Sequence, residues 1–489
     1  MAIRRISTLA SSKQAVEKAS RVIRPVTSSS TNISSVDYAG KQEPNTKVLV
    51  PSSTVVENGK GLFSSMSSGK LLRSFLTLEM AASEPVVDVG TWIYSSRLMK
   101  SAMFRQMVFG ATKVTFFDHF VAGRNQEEAG ETVKRLWNEG IKGMLDYGLE
   151  HAHDNVSCDK NLEAFIQTIE STKSLPPSSV SSVVAKITAI CPVDLLRRMS
   201  DLLRWEYKER SNNLPWKMNT LPLFSESSPL YHTLQKPVPL TPQEEQDLEL
   251  AYNRLQKIVQ KAHEANVPLV IDAEETWIQP AIDYFTYSAS ISHTTADSPL
   301  IYGTIQAYLK DAKERLVLAK QAANKMGLPM GVKLVRGAYM SAESQIAASL
   351  GYDSPIHNSI RHTHYCYNDC ACFMLHELSK GPGSLVLATH NSESGKLVAS
   401  KACDLGIGKD GEKLQFAQLY GMSEALSYEL KNEGFQVSKY LPFGPVEQIM
   451  PYLVRRAEEN KGVLSTSSLD RQLMKLELQR RLKAAFLKG

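Results

Sequence analysis

The stretch LVIDAE (residues 269–274) begins with a short apolar run of a kind that recurs through most of this sequence. Three apolar residues, two of them β-branched, run directly into acidic residues. A short apolar run of this kind is typical of a strand that is buried on both faces of a parallel sheet. The stretch therefore predicts a buried strand that delivers charged side chains to one edge of a sheet.

Seven further segments after Gly140 also contain a short apolar run, and each is followed by a longer stretch with helical spacing. Strands that alternate with helices predict a parallel sheet, and eight repeats favour a closed α/β barrel of the (β/α)₈ TIM-like type over an open doubly wound sheet. The predicted strands are GMLDYG (143–148), VVAKIT (183–188), LVIDAE (269–274), YGTIQAY (302–308), GVKLVRGAY (331–339), SLVLATHN (384–391), LQFAQLYG (414–421) and SKYLPFG (438–444).

The rest of the chain is arranged around this predicted barrel. Residues 1–60 are polar and are expected to lie outside the fold, whereas residues 61–140 carry apolar residues at helical spacing and predict an N-terminal helical region. The barrel is predicted over residues 141–470, with an insertion near 206–240, and a C-terminal helix over 471–489. The insertion is rich in Ser, Pro and aromatic residues. It fits both an ordered lid and a surface loop.

Active sites on this fold lie where the strands end and in the loops that follow. Polar side chains at the predicted strand ends would therefore converge in space once the barrel closes. These residues are Asp146, Lys186, Asp272, Glu274, Glu275, Gln306, Arg336, Tyr339, His390, Asn391, Tyr420 and Tyr440.

Composition excludes several classes of protein. The formal net charge of +5 over 489 residues is mild, and basic residues alternate with acids, which argues against a nucleic-acid partner. No apolar run approaches the roughly 18 residues that cross a bilayer. The six cysteines form no CxxC pair and no disulfide framework, so we expect reduced thiols.

The N-terminus has the composition of a targeting segment. The first 36 residues are rich in serine, and their apolar residues recur at helical spacing without the continuous apolar centre of a secretory signal. This pattern predicts a mitochondrial or plastid transit peptide, with a disordered basic tail as the alternative. The bases Arg4, Arg5, Lys13, Lys18, Arg21 and Arg24 stand against the single acid Glu17.

The segment GIGKDG contains a GxGxxG match at Gly406, Gly408 and Gly411. A dinucleotide-binding loop needs this motif after a strand and before a helix. Here the motif precedes a predicted strand, so we interpret it as a turn from helix to strand.

A segment over residues 357–376 is rich in histidine and cysteine. It lacks four ligands at a recognised zinc spacing, and its thiols fit the apolar face of a barrel helix. We therefore predict no metal, and expect the histidines at its start to lie near a bound cofactor.

The stretch PYLVRRAEEN (451–460) places Tyr452, Arg455 and Arg456 on one helical face or its flank. A solvated surface helix with an ion pair would account for this pattern. The alternative is an anion-binding cluster, to which Lys186 would add a third cation from across the barrel mouth. Such a cluster could bind the carboxylate of an amino-acid-sized substrate through charge-assisted hydrogen bonds.

Aromatic and acidic residues complete this predicted cluster. Tyr339, Tyr440 and Tyr452 offer apolar walls with polar tips that suit a small ring. Asp272 and Glu459 would orient the cations. No Ser–His–Asp or Cys–His arrangement is present in a recognisable motif, so we expect an organic cofactor to carry the chemistry.

The motifs LVIDAEE, IQAYL, KLVRGAY, ATHN, YLPFG and YLVRR, together with Glu459, make the chain from Gly90 to Lys461 resemble the proline dehydrogenase family. The resemblance implies a distorted (β/α)₈ barrel that binds FAD noncovalently. It also implies oxidation of L-proline to Δ1-pyrroline-5-carboxylate, with electrons passed to a membrane quinone. With the leader, it implies peripheral association with the matrix side of the mitochondrial inner membrane.

The resemblance also implies roles for individual residues. It implies that Lys186, Arg455 and Arg456 bind the substrate carboxylate. It implies contacts with the substrate ring for Leu334, Tyr339, Tyr440 and Tyr452, and an orienting role for the acids Asp272 and Glu459. Flavin contacts fall to Gln306, Lys333, Arg336, Gly337, Ala338, His390 and Asn391.

The expected reaction is hydride transfer from C5 of proline to N5 of FAD. Within the same scaffold, the alternative is oxidation of hydroxyproline. Related hydroxyproline enzymes carry a smaller residue at the position of Tyr440, so the tyrosine favours proline. A noncatalytic barrel that serves as a binding protein is the alternative from another class.

Overall fold

The computed structural model describes residues 62–64, 66–211, 213–293, 298–411, 413–461 and 467–486. The predicted leader, residues 1–60, lies outside this part of the chain.

Eight parallel strands form a closed barrel in sequence order, which confirms the predicted fold. The last strand pairs with the first, from Lys142 opposite Ser438 to Tyr147 opposite Phe443. The strands are β1 Lys142–Tyr147, β2 Val180–Ala185, β3 Leu269–Ile271, β4 Ile301–Gln306, β5 Met330–Val335, β6 Gly383–Ala388, β7 Leu414–Leu419 and β8 Val437–Phe443.

Several strands end earlier than the sequence predicts. Strand β5 ends at Val335 and β6 at Ala388, although the apolar patterns suggested continuation to 339 and 391. Backbone pairing stops where the side chains become polar. The residues after these strands therefore lie in loops at the mouth of the barrel.

The interior of the barrel is a small apolar cluster that is separate from the main core. Met144, Val184, Val270, Val386 and Ala417 are buried there, each from a different strand. Tyr302, Ala388 and Tyr440 pack against them. Burying such side chains contributes about 1.5–3 kcal/mol each. The floor beneath the polar mouth is thus dry and packed, as in other barrels of this type.

Helices surround the strands, and further helices precede and follow the barrel in the sequence. The N-terminal ones are α1 Ser68–Ala82, α2 Glu84–Ser95, α3 Ala102–Thr112 and α4 Gln126–Asn138. Those of the repeats are α5 Asn155–Ser171, α6 Val193–Lys208, α7 Pro242–Glu264, α8 Gln279–Ser292, α9 Ala312–Lys325, α10 Met340–Ser349, α11 Ile360–Lys380, α12 Ser392–Asp404, α13 Glu424–Asn432 and α14 Val446–Asn460, and the last helix is α15 Ser468–Phe486.

The C-terminal helix joins the N-terminal helices to the barrel. Helix α15 packs against α1 and α13. Its Arg481 donates hydrogen bonds to the carbonyls of Phe63 and Met66. At its start, Asp470 accepts hydrogen bonds from the backbone of Glu424 and Ala425, which occupies the first amides of α13.

The inserted segment is held against the barrel by specific hydrogen bonds. Helix α6 continues to Lys208, so the irregular part begins after it. Thr233 in the insertion donates to Asp201 of α6, and its carbonyl accepts from Lys208 at 2.6 Å. Ser228 donates to Asp311 at 2.7 Å. The insertion then leads into α7, which begins with a capping box formed by Thr241 and Glu244.

Two sequence motifs receive a structural explanation. The glycine motif lies in the connection from α12 to β7, and Gly406 and Gly411 have positive φ values of 67° and 90°, as a turn requires. The histidine- and cysteine-rich segment forms most of α11, where Cys366 and Cys370 are buried. All six cysteines are free thiols.

Among the described residues, no helix has the length and apolar character of a membrane span.

Candidate active site

The ends of the first three strands bring together one lysine and two aspartates. Lys186 directly follows β2, and only 9% of its side chain is exposed. Its Nζ lies 3.5 Å from Asp146 Oδ1 at the end of β1 and 3.2 Å from Asp272 Oδ2 after β3. A buried lysine is thus paired with carboxyl groups from both neighbouring strands.

Asp272 is the point where side chains from across the barrel meet. It accepts a hydrogen bond of 2.8 Å from the Tyr440 hydroxyl and forms ion pairs with Lys186 and Lys333. These partners belong to different strands or strand ends, so Asp272 joins opposite walls of the mouth. The prediction that Asp272 lies among the cations agrees with this geometry.

These contacts determine the protonation states of Asp272 and Lys186. Burial alone would raise the pKa of Asp272, but Lys333 and Lys186 hold that pKa well below its usual value. Burial would lower the pKa of Lys186, yet Asp146, Tyr440 and Asp272 hold it well above its usual value. At neutral pH the site therefore contains a charged lysine and a charged aspartate.

Helix α14 carries the two adjacent arginines to the mouth. Arg455 Nη1 lies 3.5 Å from Glu150 Oε1 in the loop after β1, and Arg456 pairs with Glu459 one turn along the helix. Gly148 packs closely against α14, since a Cβ there would lie 2.3 Å from Ile449 Cδ1 and that side chain would have to move.

Arg456 is the better buried of the two arginines. Its side chain is 6% exposed, compared with 30% for Arg455, and its guanidinium carbon lies 4.9 Å from the centre of the Tyr452 ring. Arg456 Nε and the Tyr452 hydroxyl are buried without a hydrogen-bond partner among the described residues. Buried donors of this kind are available to a ligand.

Arg455 shares one neighbouring phenol, Tyr339, with Lys186 and another, Tyr452, with Arg456. Burial raises the pKa of Tyr339 well above its usual value, and both Lys186 and Arg455 act in the opposite direction on that phenol. Burial raises the pKa of Tyr452 to about 12, and Arg456 lowers it in part. The loop after β5, the end of β2 and helix α14 therefore face a common region.

Three acids near this region were not assigned a role from sequence. Asp146 lies at a predicted strand end, so the position of the strand could have identified it. Glu150 pairs with Arg455, which is distant in sequence, and no local pattern indicates that contact. Glu274 is fully buried, and Thr188 Oγ1 lies 2.8 and 2.9 Å from its two carboxyl oxygens. Burial raises the pKa of Glu274 to about 8.

Glu274 also belongs to a group of possible metal ligands. His151, Glu274 and Glu275 each offer an atom within 4.8 Å of the others. Burial favours the protonated form of Glu274 at neutral pH, and Thr188 supplies its hydrogen bond. These contacts account for the arrangement without an ion, and the expectation of no metal stays a prediction.

Two predicted site residues, Lys333 and Leu334, point to opposite faces of strand β5. Lys333 points into the barrel, because its Nζ pairs with Asp272. Leu334 is the next residue along the strand, is fully buried, and belongs to the main core outside the barrel interior. Successive side chains of a strand point to opposite faces. The structure therefore does not bring Leu334 to the phenols and cations.

Several predicted flavin residues lie after β4 and β5. The amide of Gln306 donates to the carbonyl of Glu274 at 2.7 Å, while its Oε1 is buried without a partner among the described residues. Arg336 donates to Thr389, Ser394 and His364, with donor–acceptor distances of 2.7, 2.8 and 3.0 Å respectively.

The loop after β5 requires a glycine. Gly337 has a φ of +135°, and a Cβ at this position would lie 2.3 Å from the Tyr308 ring. Gly337 and Ala338 are exposed, so their backbone is accessible at the mouth.

The remaining predicted flavin residues follow β6. His390 Nε2 accepts a hydrogen bond of 3.1 Å from the backbone of Leu419, and burial lowers the pKa of His390 to about 3. The ring is therefore neutral and offers one further donor. Asn391 caps α12 by accepting from Ser394 at 2.8 Å, which leaves its amide nitrogen available.

A cavity of about 490 Å³ lies elsewhere in the structure. None of the predicted site residues lines it. That cavity lies between the insertion and the loops after β4 and α10, and is lined by residues such as Lys208, Tyr231, Lys310 and Tyr352. The cluster around Asp272 is a separate feature at the mouth of the barrel. Its positive groups and aromatic walls suit a small ring that carries a carboxylate.

Comparison with known proteins identifies related chains. The proline dehydrogenase family model matches residues 129–469. Proline dehydrogenase 1, mitochondrial, of Arabidopsis thaliana is 57% identical over 424 residues, which cover 86% of this chain and 85% of that protein. Hydroxyproline dehydrogenase of Bos taurus is 31% identical over 438 residues, with 86% and 92% covered.

A solved structure shows the same fold at low sequence identity. Proline utilization A (PutA) from Bdellovibrio bacteriovorus inactivated by N-propargylglycine superposes with a TM-score of 0.57 and 20% identity. The match covers 81% of this chain and 38% of that longer protein. The family predicted from the six motifs is thus confirmed by the family model and by relatives that cover most of the chain. The chain belongs to the proline dehydrogenase family of oxidoreductases.

Proposed function

We propose that this protein oxidises L-proline to Δ1-pyrroline-5-carboxylate with FAD as its cofactor. Family membership supplies the reaction class. The observation that carries the choice of substrate is the group of three cations, Lys186, Arg455 and Arg456, around half-buried phenols at the barrel mouth. A small cyclic amino acid has the carboxylate and the apolar ring that this region can bind.

The carboxylate of proline would bind to the cations. Arg456 offers a buried Nε donor that has no partner among the described residues, and a bound carboxylate would satisfy it. Arg455 contributes a second guanidinium, and charge-assisted hydrogen bonds to a carboxylate are about twice as strong as neutral ones. Lys186 adds positive charge from the opposite side, held in place by Asp272.

The ring of proline would pack among Tyr339, Tyr440 and Tyr452. Tyr440 is positioned by its 2.8 Å hydrogen bond to Asp272, and Lys333 Nζ lies 5.4 Å from the centre of its ring. A fixed phenol restricts where the substrate ring can lie and excludes water. Such orientation can contribute about 7–11 kcal/mol to lowering a barrier. Leu334 is not part of this proposal, since it faces the outer core.

The residues at the mouth fit a large polar cofactor such as FAD. The unpartnered Gln306 Oε1 offers an acceptor, Arg336 offers positive charge, and neutral His390 offers a donor. Arg336 is also stacked 4.1 Å from the centre of the Tyr367 ring, so its position is fixed. The residues proposed to hold the cofactor are Gln306, Lys333, Arg336, Gly337, Ala338, His390 and Asn391.

FAD, when bound, supplies N5 as the acceptor of the hydride that leaves C5 of proline. The amine of the substrate must be neutral before that hydride leaves, so activity should rise with pH until proline is deprotonated. With the flavin held by the residues proposed above, Lys333 and Arg336 would stabilise the negative charge that reduction creates.

Hydroxyproline is the second candidate substrate, because a hydroxyproline dehydrogenase is among the relatives. The fixed Tyr440 phenol would crowd a 4-hydroxyl group, which favours proline. Turnover of the two substrates under identical conditions distinguishes them.

We propose a mitochondrial location on the matrix side of the inner membrane, with a quinone as electron acceptor and no nucleic-acid partner. The mitochondrial names of the Arabidopsis thaliana relatives and the basic, serine-rich leader support the compartment. Peripheral attachment would bring the protein to a lipid-soluble acceptor.

The experiment that tests the proposed activity is anaerobic reduction of the flavin. The purified protein, after incubation with FAD, should show flavin absorbance that bleaches when L-proline is added, with formation of the pyrroline product. Protein that takes up no flavin would favour the noncatalytic barrel. Protein that binds flavin without bleaching would contradict proline oxidation.

A further inference from the structure

The N-terminal helices present an apolar surface that no described residue covers. We define the apolar hairpin as residues 84–114, which comprise α2, a short helical turn, α3 and the two residues after α3. Helix α3 has no buried residue, and Val87 is the only buried residue of α2. Helices of a globular domain normally bury an apolar face against the core.

The exposed side chains of the apolar hairpin are large. Met103 is 83% exposed, Trp92 65% and Met107 62%. Met103 and Met107 lie one turn apart on α3 and therefore share a face. Single exposed apolar residues are ordinary, but a large exposed apolar area marks an interaction surface. Further exposed apolar residues of the hairpin are Val86, Val89, Leu98 and Val114.

The charge of the apolar hairpin indicates what covers it. Residues 89–112 contain three bases, Arg97, Lys100 and Arg105, and no acid. None of the three forms an ion pair with another described residue. The two acids of the hairpin, Glu84 and Asp88, lie near the start of α2, and Asp88 is neutralised by Lys461. The tip is thus apolar and cationic.

We propose that the apolar hairpin attaches the protein to a membrane surface that contains anionic lipids. The inference rests on the peripheral membrane association proposed above and names the surface responsible for it. Trp92 and the methionines would enter the boundary between headgroups and acyl chains, and the cations would contact anionic headgroups. With 12 and 11 residues, α2 and α3 are too short to span a bilayer, so they would lie in its interface.

Other occupants fit the charge less well. A second copy of the chain would bring Arg97, Lys100 and Arg105 close to the same three cations in a symmetric contact, which like-charge repulsion disfavours. The leader is also basic, so it carries the wrong charge for this surface. An anionic lipid surface satisfies both the apolar side chains and the cations.

The apolar hairpin adjoins the helix that carries the candidate substrate arginines. Helix α14 packs against α1 and α2, and Lys461 at its end pairs with Asp88 of α2. The proposed membrane surface therefore adjoins the helix that presents Arg455 and Arg456.

Sedimentation of the full chain with lipid vesicles tests the proposal. One set of vesicles contains phosphatidylcholine alone, and the other contains phosphatidylcholine mixed with phosphatidylglycerol. Met103→Glu combined with Met107→Glu should weaken binding by at least about tenfold, since both side chains would leave the lipid. Replacing Arg97, Lys100 and Arg105 with glutamine should weaken binding to the mixed vesicles by roughly fivefold per cation.

A matched control combines Val238→Glu and Met326→Glu, which introduce the same charges at sites that are 67% and 52% exposed elsewhere. This variant should bind as the unaltered protein does. Every variant keeps the leader, so only differences between variants are assigned to the hairpin. Circular dichroism confirms that each variant is folded.

The outcomes separate this inference from the proposed reaction. If the unaltered protein binds neither kind of vesicle, the membrane association and its surface are both wrong, while proline-dependent bleaching of the flavin would still support the enzyme. If the methionine variant binds as well as the unaltered protein, only the surface is wrong. A dimer that the methionine variant loses, with unchanged vesicle binding, would identify a second copy as the occupant.

Discussion

Lys186 Nζ lies 3.2 Å from Asp272 Oδ2, so the ends of β2 and β3 are joined by an ion pair inside the barrel mouth. Asp272 also pairs with Lys333 and holds the Tyr440 hydroxyl. One carboxylate therefore separates two buried lysines and positions the phenol proposed to contact substrate.

Removing that carboxylate should destabilise the protein. Asp272→Ala leaves Lys186 and Lys333 without their shared partner, and breaking a buried pair in this way costs about 3–5 kcal/mol. Urea unfolding measures the change in the free energy of unfolding. The exposed Asp353→Ala variant is the control and should change stability little. Equal stability of the two variants would show that Asp272 does not balance the lysines.

The same pair predicts a dependence of stability on acid. The lysines hold the folded-state pKa of Asp272 below its unfolded value, after burial has acted in the opposite direction. Its contribution is therefore complete above the unfolded carboxyl pKa and is lost as pH falls toward the folded value. Acid unfolding of Asp272→Asn should lack this contribution. An identical acid transition in both proteins would contradict it.

Arg456→Met should raise the KM for proline while leaving the absorbance of bound flavin nearly unchanged. Truncating one partner of a buried charge pair costs about 2–5 kcal/mol, which corresponds to an increase of roughly thirtyfold or more. Steady-state kinetics measures this effect. Arg197→Met, at a side chain that is 55% exposed on α6, serves as the control. An unchanged KM in Arg456→Met would remove Arg456 from the carboxylate site.

Tyr440 should determine the preference between proline and hydroxyproline. Tyr440→Ser removes the ring and opens space for a 4-hydroxyl, so the ratio of kcat/KM for hydroxyproline to that for proline should rise. Tyr440→Phe keeps the bulk but loses the hydrogen bond to Asp272, and should leave the ratio nearly unchanged. Equal ratios in the serine variant and the unaltered protein would exclude steric selection by Tyr440.

Glu274 predicts a second dependence of stability on pH, with the opposite direction. Burial raises its pKa from 4.5 to about 8, so the folded protein binds a proton that the unfolded chain releases between these values. The free energy of unfolding should therefore fall with rising pH in this interval, by at most about 1.4 kcal/mol per pH unit for this group. Glu274→Gln should remove that slope. Parallel stability profiles for both proteins would show that Glu274 is not protonated when folded.

The barrel was predictable because its signal is repeated. Eight apolar segments such as 269–274 alternate with helical spacing, and each repeat supports the others. The ends of the strands were less well defined, because an apolar pattern can continue after backbone pairing has stopped, as after Val335. The periodicity of apolar residues was therefore enough to predict the fold. The boundaries between strands and loops depend on tertiary contacts.

The candidate site was predictable in part. Strand ends indicated Lys186 and Asp272, since parallel strands of a closed barrel converge there. The pairing of Arg455 with Glu150 joins distant parts of the chain and has no local pattern. Leu334 was expected among the substrate contacts, yet it follows Lys333 on a strand and must face the other side. The motif correctly identified the segment that contains Leu334. The alternation of side chains along the strand determines which face of the sheet Leu334 occupies.

Three cations at the barrel mouth are proposed to bind the carboxylate of a cyclic amino acid. Anaerobic flavin reduction titrated with L-proline and with L-prolinamide, which lacks the carboxylate, tests this binding most directly. We expect the unaltered protein to require far less proline than prolinamide for half-reduction, and Arg456→Met to lose most of that preference. Equal preference in the two proteins, or no preference in either, would contradict the account.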